Sequence, residues 1–125
     1  MGYDKVNLGD VTDQAAEHGF GELQEARFPR DDVGTEASGL AHIKVKPGQR
    51  QPFAHKHAEA EELHVILAGA GTMKIDDELV AVAARDVIRV DPDSARAFEA
   101  GDEGLEYLVF SPRHGGDAEI VKDFW

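Results

Sequence analysis

Cysteine is absent from the 125 residues, which removes disulfides, thiolate nucleophiles and sulfur-ligated metals at once. Any metal must be held by His, Asp and Glu. Basic residues are scarce: Lys and Arg number 13 against 25 Asp and Glu, a formal charge of −12. A surface of that sign is repelled by a phosphate backbone and by an anionic membrane, so neither nucleic acid nor membrane is an expected partner. No apolar run approaches the roughly 18 residues of a membrane span. The opening residues Met1-Gly2-Tyr3-Asp4-Lys5-Val6 carry neither the apolar region of a signal peptide nor the hydroxyl residue that a myristoylation signal needs at position 6. A soluble, cytoplasmic chain is expected. Also missing are G-x-S-x-G, the P-loop and G-x-G-x-x-G, which withdraws support from a serine hydrolase, an NTPase and a dinucleotide enzyme. With no repeat of fixed period and no low-complexity tract, a solenoid is not expected either.

What is present is ordinary globular composition, 42% apolar and 30% charged, in a length that suits one domain. The pattern is strands. From Leu40 to Lys46, Ala41, Ile43 and Val45 share one face and His42, Lys44 and Lys46 the other, so His42 is expected toward solvent. Glu62 to Ala68 is apolar through Leu63, Val65 and Leu67 on one face, with Glu62, His64 and Ile66 on the other, and Gly69-Ala70-Gly71 is expected to end it. Thr72–Ile75 and Leu79–Ala83 flank the polar link Asp76-Asp77-Glu78 and read as a hairpin. Val87–Val90, a short strand over Arg96–Glu99, a turn over Gly101–Gly104 and a strand over Leu105–Phe110 complete the series. Short strands at this spacing, punctuated by Gly and Pro, mark a sandwich or barrel. The N-terminal third differs: Asp10–His18 reads as a turn or two of helix or as a surface turn, with Thr12 or Asp13 as N-cap and Gly19 as the stop, and Glu22–Phe28 as an added strand covering a sheet edge. His18 is expected at the surface, His114 in a loop, and the apolar end Ile120–Trp125 against its own barrel.

One stretch concentrates chemistry. Between Gly48 and Gly69 stand His55, His57, Glu61, Glu62 and His64. On a strand, His55 and His57 point to the same side because the side-chain period is two. After a turn through Ala58-Glu59-Ala60, Glu62 opens the next strand facing the same point, and His64 shares its face. Two histidines and a carboxylate around open positions form the facial arrangement used for non-haem iron, and the same set suits Mn, Ni, Co or Zn.

At these residues the chain resembles the cupin superfamily. Its first motif, G-x5-H-x-H-x(3,4)-E-x6-G, is matched by His55, His57, Glu62 and Gly69 with the longer internal spacing, while Gly48 sits one residue further out. The resemblance continues more weakly from Leu40 to Phe110 and implies an all-β fold, a double-stranded β-helix or jelly-roll barrel holding the site inside. It implies His55, His57 and Glu62 as metal ligands. The second motif, G-x5-P-x-G-x2-H-x3-N, departs: the first Gly is Arg85, the Pro Asp91, the second Gly Asp93, the Asn Ala100, and the ligand His is Arg96. An arginine keeps its proton and cannot coordinate, so the fourth ligand is missing.

Three readings stay open. His55, His57 and Glu62 hold Fe, Mn, Ni or Zn, with His64 able to complete the shell and Arg96 binding an anionic substrate; or Arg96 pairs with Glu62 in a metal-free pocket for a small polar molecule; or the same network fills a barrel that takes no ligand. In the first, the protein is a metal-dependent oxygenase, isomerase or lyase acting on a small carboxylated, phosphorylated or sugar-like compound, with His64 or Glu61 as proton carrier. In the second it is a non-catalytic binding module. The expected layout is an N-terminal extension over residues 1–38 packing on the barrel, the barrel over 39–112 and a C-terminal segment over 113–125. A homodimer is expected, because the Leu63-Val65-Leu67 face needs cover.

Overall fold

The computed structural model describes residues 2–113 and 116–125, so the expectation for His114 lies outside the described residues. A 3-10 turn at Leu8–Asp10 leads into α1, Gln14–Glu17. Asp13 is its N-cap, accepting from the Ala15 and Ala16 amides. The same Asp13 Oδ1 also accepts from the Ala26 amide at 2.9 Å, tying the helix to the next element. Gly19, at φ 84, ends the turn. β1, Gln24–Arg27, lies antiparallel along the edge of β2, Ser38–Val45, as the added edge strand was expected to do. Between them α2, Arg30–Val33, starts after Pro29 and stops at the left-handed Gly34.

The remaining strands are β3 (Ala54–His57), β4 (Glu62–Ile75), β5 (Glu78–Ala83), β6 (Val87–Val90), β7 (Arg96–Pro112) and β8 (Ala118–Val121). They form one curled sheet, a double-stranded β-helix, with β1-β2-β7-β3-β8 in order and β4 joining β7 to β5 and β6. The inward face carries Val45, Ile66, Met73, Val90, Phe98 and Tyr107, all buried. Among the described residues no helix is long and apolar enough to cross a membrane.

Three details correct the expectations. Gly69-Ala70-Gly71 does not end β4, and residues 101–104 do not divide β7; both strands run on through paired register shifts. Gly69 sits at φ 79, and a Cβ there would meet the Gly104 carbonyl, as one at Gly71 would meet that of Glu99. The glycines therefore let two backbones pass closely where the sheet bends. Second, His42 does face away from Ile43, but it is buried, because Glu106 on the adjoining strand lies over it with its Oε2 2.6 Å from Nε2. Third, residues 118–121 form a strand beside β3, unforeseen because Ala-Glu-Ile-Val is too short to show a period. Beyond it Phe124 and Trp125 pack on Ala54, Ala95 and Ala97, so the terminal segment does lie on its own barrel.

Candidate functional site

β3 delivers His55 and His57, and the first residue of β4 delivers Glu62. His55 Nε2 is 3.3 Å from Glu62 Oε1 and His57 Nε2 is 3.0 Å from Glu62 Oε2. One ligand atom from each of the three residues lies within 4.8 Å of the others. The two imidazoles stand edge-on, with centroids 5.1 Å apart. Behind His57, Asp117 Oδ1 lies 2.8 Å from Nδ1, while Oδ2 accepts from the Glu59 and Ala60 amides. The hydrogen bond to His57, helped by these amides, holds the Asp117 carboxyl down at about 2 against the effect of burial. As an anion, Asp117 accepts a hydrogen bond from the Nδ1–H of His57, which in the neutral imidazole leaves the lone pair on Nε2.

In the neutral ring that lone pair meets no donor among the described residues. His57 Nε2 is buried and has no aligned hydrogen bond among the described residues, although Glu62 Oε2 is 3.0 Å away. With the ring neutral, two acceptors this close call for a cation beside both of them. A metal bound at about 2.1 Å separates neighbouring ligand atoms by about 3 Å, so the donor set fits a divalent ion.

Arg96 opens β7, opposite His55, and its side chain is 1% exposed. Its Nη1 donates to Glu62 Oε1 at 3.1 Å and its Nη2 to the Asp91 carbonyl at 2.7 Å, while Nε has no partner among the described residues. Burial pulls its pKa down, against the attraction of Glu62 and Asp76, but a guanidinium stays charged. At Glu62 burial pushes the carboxyl up; the hydrogen bond from His55 and the fields of His55, His64 and His57 outweigh it and hold it at about 2. His64, 1% exposed, lies with Nε2 3.6 Å from Glu62 Oε1. Burial lowers its pKa to about 4, with Arg96 and His55 acting alongside and Glu62 against, so at neutral pH it is uncharged. Glu61 is not brought in: its side chain is 58% exposed and pairs with Arg89 at 3.2 Å.

His55, Glu62, His64 and Arg96 line one end of a cavity of about 620 Å³, and His57 is not among its lining residues. Gln24, Gln51 and Tyr107 line it further along, and residues of α1, β1 and α2 form one wall. His18, expected at the surface, is exposed and lies at the edge of this wall. The sequence reading missed Gln24, Gln51, Tyr107 and Asp117. A polar ring at Tyr107, between the inward Leu105 and Val109, was the one available signal.

A curled double-stranded β-helix with a His-His-Glu cluster inside defines a small barrel protein of the double-stranded β-helix class. The family model for the cupin domain matches residues 41–111, more than half of the chain, and the chain belongs to that family. It is 32% identical over 103 residues to an uncharacterized protein of Methanocaldococcus jannaschii, covering 80% of this chain and 81% of that one. A cupin protein from Bacteroides fragilis superposes with a TM-score of 0.73 at 22% identity, over 93% of this chain and 88% of its own. The polyketide cyclase RemF from Streptomyces resistomycificus does so with 0.76 at 18% identity, over 98% and 86%.

Proposed function

We propose that this chain is a metal-dependent cupin enzyme, an oxygenase, isomerase or lyase, acting on a small molecule bound in the barrel cavity. His55, His57 and Glu62 would hold a divalent Fe, Mn, Ni or Zn ion. The observation that carries this reading is the position of His57 Nε2, buried without an aligned partner among the described residues and 3.0 Å from Glu62 Oε2, with Asp117 hydrogen-bonded to Nδ1 on the other side of the ring. A bound ion would supply Lewis acidity toward an oxygen of the ligand. Arg96 holds Glu62 in place and keeps a fixed positive charge at the cavity end, where an anionic group of the ligand would lie. His64, uncharged at neutral pH, suits a neutral hydrogen-bonding or ligating role better than that of proton donor. The likeness in fold to a polyketide cyclase supports a barrel that works on small molecules.

The Arg96–Glu62 contact favours a second reading, a metal-free module that binds the same class of molecule without reaction. Elemental analysis of untagged protein separates the two. Near-stoichiometric metal, lost in His57→Ala, is expected; no metal after incubation with Fe, Mn, Ni and Zn in turn would leave the binding module.

A further inference from the structure

Gln51 spends every polar atom of its side chain. Its Oε1 accepts from the Phe98 amide at 3.0 Å, and because that partner is a donor the orientation of the side-chain amide is fixed. Its Nε2 then donates to Gln24 Oε1 at 2.8 Å and to the Tyr107 hydroxyl oxygen at 3.0 Å. Both neighbours are thereby committed as acceptors toward Gln51. Their donors, the Tyr107 O–H and the Gln24 NH₂ group, have no acceptor among the described residues. Tyr107 is 3% exposed, Gln24 is 8% exposed, and both line the cavity. Burial pushes the Tyr107 phenol well up, and nearby Glu62 acts the same way, so it remains a donor and is poor company for a second anion.

Beside these donors the cavity wall is aromatic. Phe20 meets Phe53 edge-on at 5.7 Å, and Phe28 is left 39% exposed. Large apolar side chains left open inside a cavity gain cover when an apolar body fills it. A volume of about 620 Å³ is in the range that takes a compound of two or three rings, about 300–1,000 Å³. The His64 ring lies between the two ends, 3.6 Å from Glu62 and with its centroid 5.9 Å from that of Tyr107.

From this we infer a second subsite in the cavity: Tyr107 and Gln24, oriented by Gln51, donate to a neutral carbonyl oxygen on an aromatic or polycyclic ligand that packs against Phe20, Phe28 and Phe53. The inference rests on the proposed function only in taking the cavity as the ligand site, and it narrows the ligand to a ring ketone or a similar compound. Sugars and small phosphates would leave the aromatic wall uncovered.

Isothermal titration calorimetry with α-tetralone, with tetralin, which lacks the carbonyl, and with a hexose phosphate tests it. The expected result is that α-tetralone binds about three- to tenfold more tightly than tetralin, the worth of a neutral hydrogen bond. Tyr107→Phe should abolish that preference while leaving the circular dichroism spectrum and the metal content unchanged, and Gln24→Leu should reduce it. Equal binding of the two ring compounds, no binding of either at millimolar concentration, or tighter binding of the hexose phosphate than of both would overturn the inference. His57→Ala separates this outcome from that of the metal reading. It should empty the metal site and leave the preference for α-tetralone within about twofold, so either idea can fail alone.

Discussion

Glu62 serves four partners at once: His55, His57, Arg96 and, at longer range, His64. Arg96 is the partner whose charge is permanent, and it is as deeply buried as His64, so its loss leaves a buried carboxylate without a fixed counter-charge. Arg96→Ala should therefore cost about 3 kcal/mol, the low end for breaking a buried pair, because the hydrogen bond from His55 remains; urea unfolding at neutral pH measures it. Arg96→His removes the competing cation from Glu62 and adds an imidazole from a residue that faces the cluster. Metal should bind it at least tenfold more tightly than the parent, and an unchanged affinity in calorimetric titration would show that Arg96 does not obstruct the metal. Acid should weaken the metal-free fold in two adjoining windows. His64 titrates at about 4 when folded against an ordinary 6.5, so between those values only the unfolded chain takes up its proton, and stability falls as the pH drops through them. Glu62, at about 2 against 4.5, extends the loss below pH 4.5. The His64 part is about 3 kcal/mol. Unfolding midpoints at pH 7.5 and 5 should differ in the parent and differ less in His64→Gln; equal differences would place the acid-sensitive group elsewhere. The cluster itself was legible because His55 and His57 stand two apart on one strand and Glu62 opens the next after a short turn. Asp117 and Tyr107 were not, since only the pairing of β8 with β3 and of β7 with β2 brings them near residues about half the chain away.

At the level of elements, the glycines that were read as strand ends turned out to be bends. Composition cannot distinguish the two, because the same freedom that lets a chain turn back also lets two strands cross closely without stopping. Gly69 shows the difference: it needs both a positive φ and the space of a missing Cβ against the Gly104 carbonyl. Gly69→Ala should thus cost about 2 kcal/mol or more, from backbone strain and overpacking together. A loss below about 0.5 kcal/mol in urea unfolding would mean that β4 and β7 can separate there freely. The opposite case is Arg85, a non-glycine residue at φ 79 where the resembling motif has its first Gly. Arg85→Gly should relieve left-handed strain, partly offset by the entropy of a glycine, for a net gain of about 0.5–1 kcal/mol. By contrast β6, Val87–Val90, formed over the expected residues because the turn at Asp86 and the loop at Asp91 mark its ends plainly.

For the whole molecule, what matters is which surfaces the barrel leaves open. Inside, Glu62, His64 and Ile66 of β4 face the site and core; outside, Leu63 is 41% and Leu67 45% exposed. Leu63 stands opposite Phe110, itself 43% exposed, and Val65 opposite Val87, 62% exposed. Two segments of the chain were candidates to cover this patch. β1 instead lies along β2, and Phe124 with Trp125 lies on Ala54, Ala95 and Ala97. An apolar patch on three neighbouring strands that none of the described residues covers is the surface a second copy would bury. Two bodies of charge −12 repel each other, so the association must come from apolar contact and should tighten as salt rises to about 0.15 M, where charges beyond about 8 Å are screened. Light scattering at micromolar concentration should give the mass of two chains, and Phe110→Glu, which sets a charge in the middle of the patch, should give the mass of one with the circular dichroism spectrum unchanged. A parent protein that is monomeric at both low and moderate salt would show that this barrel tolerates the exposed face. Dimerisation that persists in Phe110→Glu would put the interface on another surface.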